Sequence, residues 1–371
     1  MASARLEFAV RPGVGRGISM RTLLRNVFSD EPGTTKQKVI SVYGLLLALN
    51  AGGWTWALVA FHRYPTLLGT SFLAYCLGLR HAVDADHIAA IDNVTRKLMQ
   101  QGKRPVSVGL MFSLGHSTVV VLGSVGIAAA ALGLQHSTMS FHRIGGAVGT
   151  AISSAFLFAI GLTNLVVLRS VYRTFSHVRQ GGAYVDEDFD VLLGSRGFLT
   201  RIFRPVFRIV QKSWHMYPLG VLFGLGFDTA TEIGLLAISA AAGSNGLSLW
   251  SVLVFPTLFA AGMSLVDTTD NVLMVGAYGW ALANPVRKLY YNLTITAVSA
   301  VIALVVGGVE VLGLLAGRVH EPGVFWHSIS ALNQNFGVLG FAVIALFVVC
   351  WAVSIAVYKW RRLDGLAPDQ A

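Results

Sequence analysis

The sequence predicts an all-α protein that crosses a membrane eight times. Of its 371 residues 54% are hydrophobic and only 12% are charged, and the mean hydropathy is +0.63. Soluble globular proteins carry about 25% charged residues, so this composition excludes that class. Eight apolar runs are long enough, at about 20 residues or more, to cross the hydrocarbon core as helices.

The predicted spans form two groups of four, within 38–168 and 218–358, separated by a polar loop at 169–217. Residues 1–37 and 359–371 form the terminal tails. Pro256 near the start of the sixth span predicts a kink or a later start there. The spans are 38–61, 67–91, 107–134, 145–168, 218–242, 250–280, 289–316 and 334–358.

The basic residues predict that both termini are cytoplasmic. Of the 28 Lys and Arg residues, only Arg63, Arg143 and Arg318 fall in loops that would then face outward, and Arg80 falls within a span. This asymmetry follows the positive-inside rule, and the N-terminal tail lacks the apolar core of a signal peptide. We therefore predict a multi-pass protein of the bacterial cytoplasmic membrane. Its net charge of +10 requires no nucleic-acid partner.

Several chemistries are excluded by what the chain lacks. Cys76 and Cys350 both lie in apolar runs, so neither a disulfide framework nor a thiolate metal site is expected. No HExxH zinc-protease motif and no nucleotide-binding P-loop occur. We expect no resident cofactor.

The loop at 169–217 is basic around the acidic residues Asp186, Glu187, Asp188 and Asp190. A surface domain facing anionic lipid is one interpretation, and a lid or a metal-collecting patch is another. His177 and His215 are isolated in the sequence, so no histidine cluster supports the second.

The most informative stretch is RHAVDADHIAAIDN, from Arg80 to Asn93, at the inner end of an apolar run. Charges there cost about 2.5 to 3.5 kcal/mol each on insertion scales, so they need a reason. Pairing of Arg80 with an aspartate is one reason. The two histidines favour another, since imidazole and carboxylate are ligands of Ni²⁺, Co²⁺ and Zn²⁺.

Helical spacing places three of these side chains together. His81, Asp84 and His87 would lie on one face of a continuous helix, each about 60° from the next. Asp86 points away by roughly 100° and would serve as an outer partner.

Other spans also carry polar residues near the middle of the membrane. The third has His116. The fifth has Asp228 and Glu232 at i and i+4, and the sixth has Asp267 and Asp270 at i and i+3. Neither acidic pair has a basic residue in its own helix. These carboxyls must be protonated, matched by Arg80, or balanced by a cation.

A weak internal repeat relates the second and third spans to the fifth and sixth. SLGHSTVVVL from Ser113 aligns without gaps to SLVDTTDNVL from Ser264, placing His116 opposite Asp267, and GLRH at Gly78 aligns less well to GLGF at Gly224. The copies are three helices apart, so they would run in opposite directions. Inverted repeats of this kind hold transport sites near the midplane, although chance similarity between apolar segments is a competing explanation.

Four blocks, RHAVDADHI, LGHS, LGFDTATE and GMSLVDTTDN, together resemble the nickel/cobalt transporter family. The resemblance covers nearly the whole chain and is closest to the high-affinity nickel permeases associated with hydrogenase. It implies eight spans, cytoplasmic termini and uptake of Ni²⁺, sometimes with Co²⁺, for enzymes such as hydrogenase or urease. It also implies that the second-span residues His81, Asp84, Asp86 and His87 are needed for transport.

The residues themselves suggest how transport would proceed. Ni²⁺ would bind His81, His87 and Asp84, with His116 completing or relaying the coordination. Arg80, Asp228, Glu232, Asp267 and Asp270 would line the pathway or compensate charge. Efflux by the same ligands, a metal-dependent enzyme and a cation channel are alternatives, and only the resemblance favours import. Metal preference, coupling ion and oligomeric state stay undetermined.

Overall fold

The computed structural model describes residues 29–31, 35–133, 138–179, 210–225, 235, 238–239, 247–281, 285–316 and 323–360, and these contain helices and no strands. A 3₁₀ turn at Ser213–His215 leads into the sixth helix. The helices are α1 (Thr35–Phe61), α2 (Pro65–His81), α3 (Ala85–Gln100), α4 (Val108–Gly133), α5 (Thr138–Arg179), α6 (Met216–Gly224), α7 (Leu249–Val252), α8 (Val254–Ala281), α9 (Pro285–Ala316), α10 (Val324–Gln334) and α11 (Phe336–Trp360).

Among the described residues, five segments are long and apolar enough to cross a membrane. They lie in α1, α4, α5, α7 with α8, and α9, each within or close to a predicted span. A sixth crossing is possible if α10 and α11, bent by 78°, form one broken span. The all-helical membrane class is therefore confirmed, whereas the count of eight remains a prediction. The helix α2 has only 17 residues, and most of the fifth predicted span lies outside the described residues.

The prediction that the second span is a single helix is wrong. Backbone helix ends at His81 and restarts at Ala85, and α3 then continues to Gln100 where a cytoplasmic loop was predicted. Arg96 and Lys97, expected in that loop, are buried. Periodicity could not reveal the break because Ala82, Val83 and Asp84 are all compatible with a helix.

Other boundaries also differ from the sequence interpretation. Pro256 lies in the first turn of α8, where its missing N–H removes no hydrogen bond, and this agrees with the predicted late start of the sixth span. The helix α10 was not predicted. Helix α5 extends to Arg179 and so includes the first eleven residues of the predicted loop, whose acidic cluster lies outside the described residues.

Helix α3 is the centre of the bundle. All but two of its sixteen residues are buried, although its sequence is on balance polar, and it packs against α4, α5, α8, α9 and α11. A close approach fixes its start: a methyl group on Gly340 of α11 would overlap the carbonyl oxygen of Val83. A polar helix enclosed by apolar ones indicates function, since burial of such groups is costly.

The crossing of α2 with α8 depends on two glycines. A methyl group on Gly78 would overlap the Phe259 carbonyl oxygen, and one on Gly262 would lie 2.7 Å from the Tyr75 carbonyl oxygen. Backbones approach this closely only where no side chain intervenes, as at membrane helix contacts generally.

The crossing of α4 with α6 is built in the same way. Methyl groups on Gly220 and Gly115 would overlap the carbonyl oxygens of Phe112 and Tyr217 respectively. In each crossing, a Tyr and a Gly of a short helix therefore contact a Gly and a Phe of a long helix.

Candidate metal site

The break between α2 and α3 forms one wall of the candidate site. Asp84 occupies the N-cap position of α3 with extended backbone angles, φ −65° and ψ 143°. Its N–H donates to the His81 carbonyl oxygen at 2.8 Å, which closes a tight turn. The turn brings His81, at the end of α2, against His87, in the first turn of α3, with ring centroids 4.7 Å apart.

A third imidazole comes from α4. The ring centroid of His116 lies 4.9 Å from those of both His81 and His87, so the rings form a nearly equilateral triangle. The Nε2 atoms of His81 and His116 are 3.1 Å apart, and one ligand nitrogen from each ring lies within 4.8 Å of the other two. Each of these residues is at most 3% exposed. Three converging nitrogens suit a borderline divalent metal.

Two carboxylates orient these rings. Asp84 Oδ2 lies 3.0 Å from His81 Nδ1, and both carboxylate oxygens of Asp267 lie 3.3 Å from His87 Nδ1. An ionised carboxylate only accepts hydrogen bonds, so each Nδ1 donates and each Nε2 keeps its lone pair. This carboxylate–imidazole arrangement is the usual outer support of metal-ligating histidines.

Charge around the triangle also suits a divalent cation. Arg80 Nη1 lies 3.5 Å from Asp84 Oδ1, so the ion pair considered from the sequence does form. Asp86 lies within electrostatic range of His87 and Asp84, and its buried Oδ1 has no hydrogen-bond partner among the described residues. With Asp84, Asp86 and Asp267 ionised and Arg80 protonated, the net charge is −2.

Aromatic rings close the site on two sides. Phe112 packs edge-on against His87 with centroids 4.8 Å apart, and Phe259 packs against His81 at 5.5 Å. These apolar walls exclude water and strengthen electrostatic interactions inside. The backbone carbonyl oxygens of Phe112 and Phe259 also contact glycines at the two helix crossings.

The structure therefore brings together most of the predicted site residues, but the backbone that positions them differs from the predicted one. The expectation that His81, Asp84 and His87 share a face of one helix is wrong, since a break separates the first from the last. Asp270 lies one turn beyond Asp267 on α8. Asp228 and Glu232 lie outside the described residues.

A set of buried polar residues beyond the histidines was not predicted from the sequence. Asp92 and Arg96 of α3 are buried, as is Glu310 of α9, whose Oε2 accepts hydrogen bonds from Ser153 and Ser154 at 2.5 and 2.7 Å. The available signal was a charged residue inside an apolar run at Glu310. For Asp92 and Arg96 no signal distinguished the inner half of a helix from a loop.

The family assignment follows from comparison with known proteins. A family profile described as high-affinity nickel-transport protein matches residues 67–357. The chain belongs to this family of high-affinity nickel-transport proteins. The chain is therefore a transporter and not an enzyme, and nickel is transported substrate and not a cofactor. No solved structure matches the chain.

Individual members of the nickel-transport family are similar over nearly their whole length. The high-affinity nickel transport protein of Cupriavidus necator is 61% identical over 345 residues, which cover 93% of this chain and 98% of that protein. The hydrogenase nickel incorporation protein HupN of Bradyrhizobium diazoefficiens is 51% identical over 89% of this chain and 87% of its own. The cobalt transport protein NhlF of Rhodococcus rhodochrous is 41% identical over 87% and 92%.

Proposed function

We propose that this nickel transporter imports Ni²⁺, and Co²⁺ as a second cargo, across the bacterial cytoplasmic membrane. The observation that carries the proposal is the buried triangle of His81, His87 and His116 with its carboxylate supports. The relatives' names support nickel and cobalt as cargo. The name of HupN supports delivery to hydrogenase, and a urease would be an equivalent recipient.

The cargo would bind with part of its water shell retained. Nε2 of His81, His87 and His116 would supply three ligands, and water would complete the coordination. Asp84 would act as the partner that holds His81, not as a direct ligand as we expected from spacing, and Asp86 would compensate charge. Incomplete protein coordination lets a transporter release what it binds.

Charge matching would discriminate between cargo classes. One divalent cation would neutralise the net charge of −2 around the triangle, whereas a monovalent cation would leave it undercompensated. A channel for protons or sodium would not need three converging imidazoles, two of them oriented by carboxylates. Inward movement of a divalent cation would be favoured by the membrane potential, at about 2.3 kcal/mol per charge per 100 mV.

Alternation between the two sides would use the inverted repeat. The two glycine crossings are built alike, which supports a repeat that relates α2 to α6 and α4 to α8. In this repeat Tyr75 and Gly78 correspond to Tyr217 and Gly220, and Gly115 corresponds to Gly262. The sequence alignment had placed Gly115 opposite Val266, one helical turn away. In the revised register α2 crosses α8 as α6 crosses α4, and the site lies between these pairs.

Topology would follow the distribution of basic residues. We propose eight spans, with both termini and the loop at 169–217 in the cytoplasm. The outer side of the site would then be reached first by the metal, and the long polar continuation of α3 would lead inward.

Uptake of radioactive nickel into proteoliposomes tests the proposal. Wild-type protein and His87→Ala are compared at matched amounts, at submicromolar nickel, with excess Co²⁺, Zn²⁺ or Mn²⁺ as competitor. Saturable uptake that is lost in the variant is expected, with competition by Co²⁺ strongest. Wild-type protein that fails to accumulate nickel, or that depletes preloaded vesicles, would overturn import in favour of no transport or efflux respectively.

A further inference from the structure

A second buried polar group lies on α3 beyond the histidines. Asp92 is five residues past His87, about 7.5 Å further along the helix axis. It is completely buried. The Tyr278 hydroxyl donates to Asp92 Oδ1, and the Ser299 hydroxyl donates to Oδ2 at 2.8 Å. A carboxylate is thus held in place at the junction of α3, α8 and α9.

Asp270 is close both to this carboxylate and to Asp267, which supports the histidine triangle. It is one turn beyond Asp267 on α8 and within electrostatic range of both Asp267 and Asp92. Its buried Oδ2 has no hydrogen-bond partner among the described residues. Three carboxylates therefore follow one another from the histidine triangle inward.

An amide oxygen is buried at the next residue of α8. Asn271 is completely buried, and its Nδ2 donates to Thr95 Oγ1 at 2.7 Å, which holds the amide between α3 and α8. Thr95 is three residues from Asp92, so the two share one side of α3. The Asn271 Oδ1 is buried without a hydrogen-bond partner among the described residues. A buried acceptor left unsatisfied destabilises the fold, and a cation with its water is one group that would satisfy it.

We propose that Asp92, Asp270 and Asn271 form a second cation site, the release station, which receives the divalent metal as it leaves the histidine triangle. The inference rests on the proposed transport function and extends it. The ligands are all oxygens, which bind Ni²⁺ and Co²⁺ less strongly than imidazoles do and suit a partly hydrated ion. A weaker site on the cytoplasmic side of a stronger one divides release of the metal into two smaller steps.

Arg96 sets the strength of this site. It lies one turn inward of Asp92, and its guanidinium donates to Thr296 Oγ1 at 3.1 Å and to Asn93 Oδ1 at 3.5 Å. Asn93 in turn accepts from Asn164 of α5 at 2.5 Å. With Asp92 and Asp270 ionised, the fixed guanidinium leaves a net charge of −1. This charge would hold a divalent ion less strongly than the −2 around the histidine triangle.

Kinetics of full-length protein in proteoliposomes test the release station. Asp92→Asn and Asp270→Asn are expected to lower maximal nickel uptake roughly tenfold while leaving the KM for external nickel near the wild-type value. Equilibrium nickel binding to the histidine triangle, measured on the detergent-purified variants, is expected to be unchanged, which also shows that they fold.

The matched control is Glu310→Gln. Glu310 is likewise a buried carboxylate that accepts hydrogen bonds from two hydroxyls, but it belongs to the α5–α9 contact. Nickel uptake by this variant is expected at the wild-type rate. Equal loss of uptake in Glu310→Gln, or unchanged uptake in both aspartate variants, would overturn the release station.

Binding to purified protein separates this inference from the proposed function. The probe is Mn²⁺, which accepts oxygen ligands and is detected by electron paramagnetic resonance. Protein with His87→Ala is expected to bind Mn²⁺ weakly, and addition of Asp92→Asn and Asp270→Asn is expected to abolish that binding. No difference between the two proteins would contradict the release station even if wild-type protein transports nickel. A wild type without uptake would contradict the transport function alone.

Discussion

The histidine triangle and the release station each take one residue from the central helix α3, yet their side chains are used in opposite ways. In the triangle, the carboxylates of Asp84 and Asp267 orient imidazoles whose outer nitrogens converge on one point. In the release station, a tyrosine and a serine hydroxyl hold the carboxylate of Asp92 itself. The difference separates a nitrogen site that selects a metal from an oxygen site that lets it go.

The surrounding helices explain why the two groups do not merge. The triangle forms at the break between α2 and α3, so side chains reach it from the end of α2, the start of α3 and the first half of α4. The release station forms along an uninterrupted part of α3, which side chains from α8 and α9 approach from the side. Discontinuous helices in transporters mark such binding positions.

Removal of His116 is expected to have the largest effect on this comparison. His116→Ala deletes one corner of the triangle, and nickel affinity should fall by more than about a hundredfold, since loss of an outer partner alone typically costs 10- to 100-fold. Isothermal titration of purified protein measures the loss. The control is Ser124→Ala, a buried serine two turns further along α4. Nickel binding retained in His116→Ala would reduce the site to α2 and α3.

Loss of the Asp267 charge is expected to have an intermediate effect. Asp267→Asn keeps the side-chain shape but weakens the hydrogen bond that orients His87, so nickel affinity should fall by about 10- to 100-fold. The expected change is a higher KM for nickel uptake, in contrast to the lower maximal rate expected for Asp92→Asn. A lower maximal rate at unchanged KM would place Asp267 with the release station.

Steric pressure on the helix break should distort the triangle and leave the release station intact. In Gly340→Ala the new methyl group overlaps the Val83 carbonyl oxygen, and the overlap should destabilise the fold by about 1–3 kcal/mol. A lower melting temperature and weaker nickel binding are expected. Gly308→Ala is the control, since nothing lies within 4 Å of a methyl group there. Equal melting temperatures would show that α11 yields easily at this contact.

The smallest effect is expected at the contact between α4 and α8. Ser113 Oγ donates to Ser264 Oγ at 2.8 Å, and both residues are buried. Ser113→Ala should cost about 1 kcal/mol of stability, as for a typical lost hydrogen bond. Nickel affinity and uptake should stay near wild type. A large loss of uptake would show that this contact acts in alternation between the two sides.

Much of the candidate site could be predicted because charge inside a membrane is rare. His81, Asp84, His87, His116 and Asp267 were each conspicuous in an apolar run, and the structure brings all five together. Asp92 escaped notice because the run IDNVTRK reads equally well as the cytoplasmic end of a span. Its burial depends on five other helices that surround α3, which no local pattern records.

The internal repeat is a second feature for which local sequence patterns are not sufficient. The similarity of SLGHSTVVVL and SLVDTTDNVL favours a repeat that relates α4 to α8, which stays a prediction. Its register, however, maximised identities among apolar residues, which are interchangeable in lipid. The glycine contacts relate Gly115 to Gly262 instead, because backbone approach tolerates nothing larger.

Composition and the placement of rare charges thus determined the membrane class, the approximate spans and the metal-binding chemistry. These features can be predicted because the bilayer penalises every charge within a span, whatever the tertiary structure. Tertiary structure alone decided that a helix breaks at Asp84, that carboxylates support imidazoles, and that polar α3 lies at the centre. Those outcomes depend on contacts between residues distant in sequence, where packing against α4, α8 and α11 outweighs local helical preference.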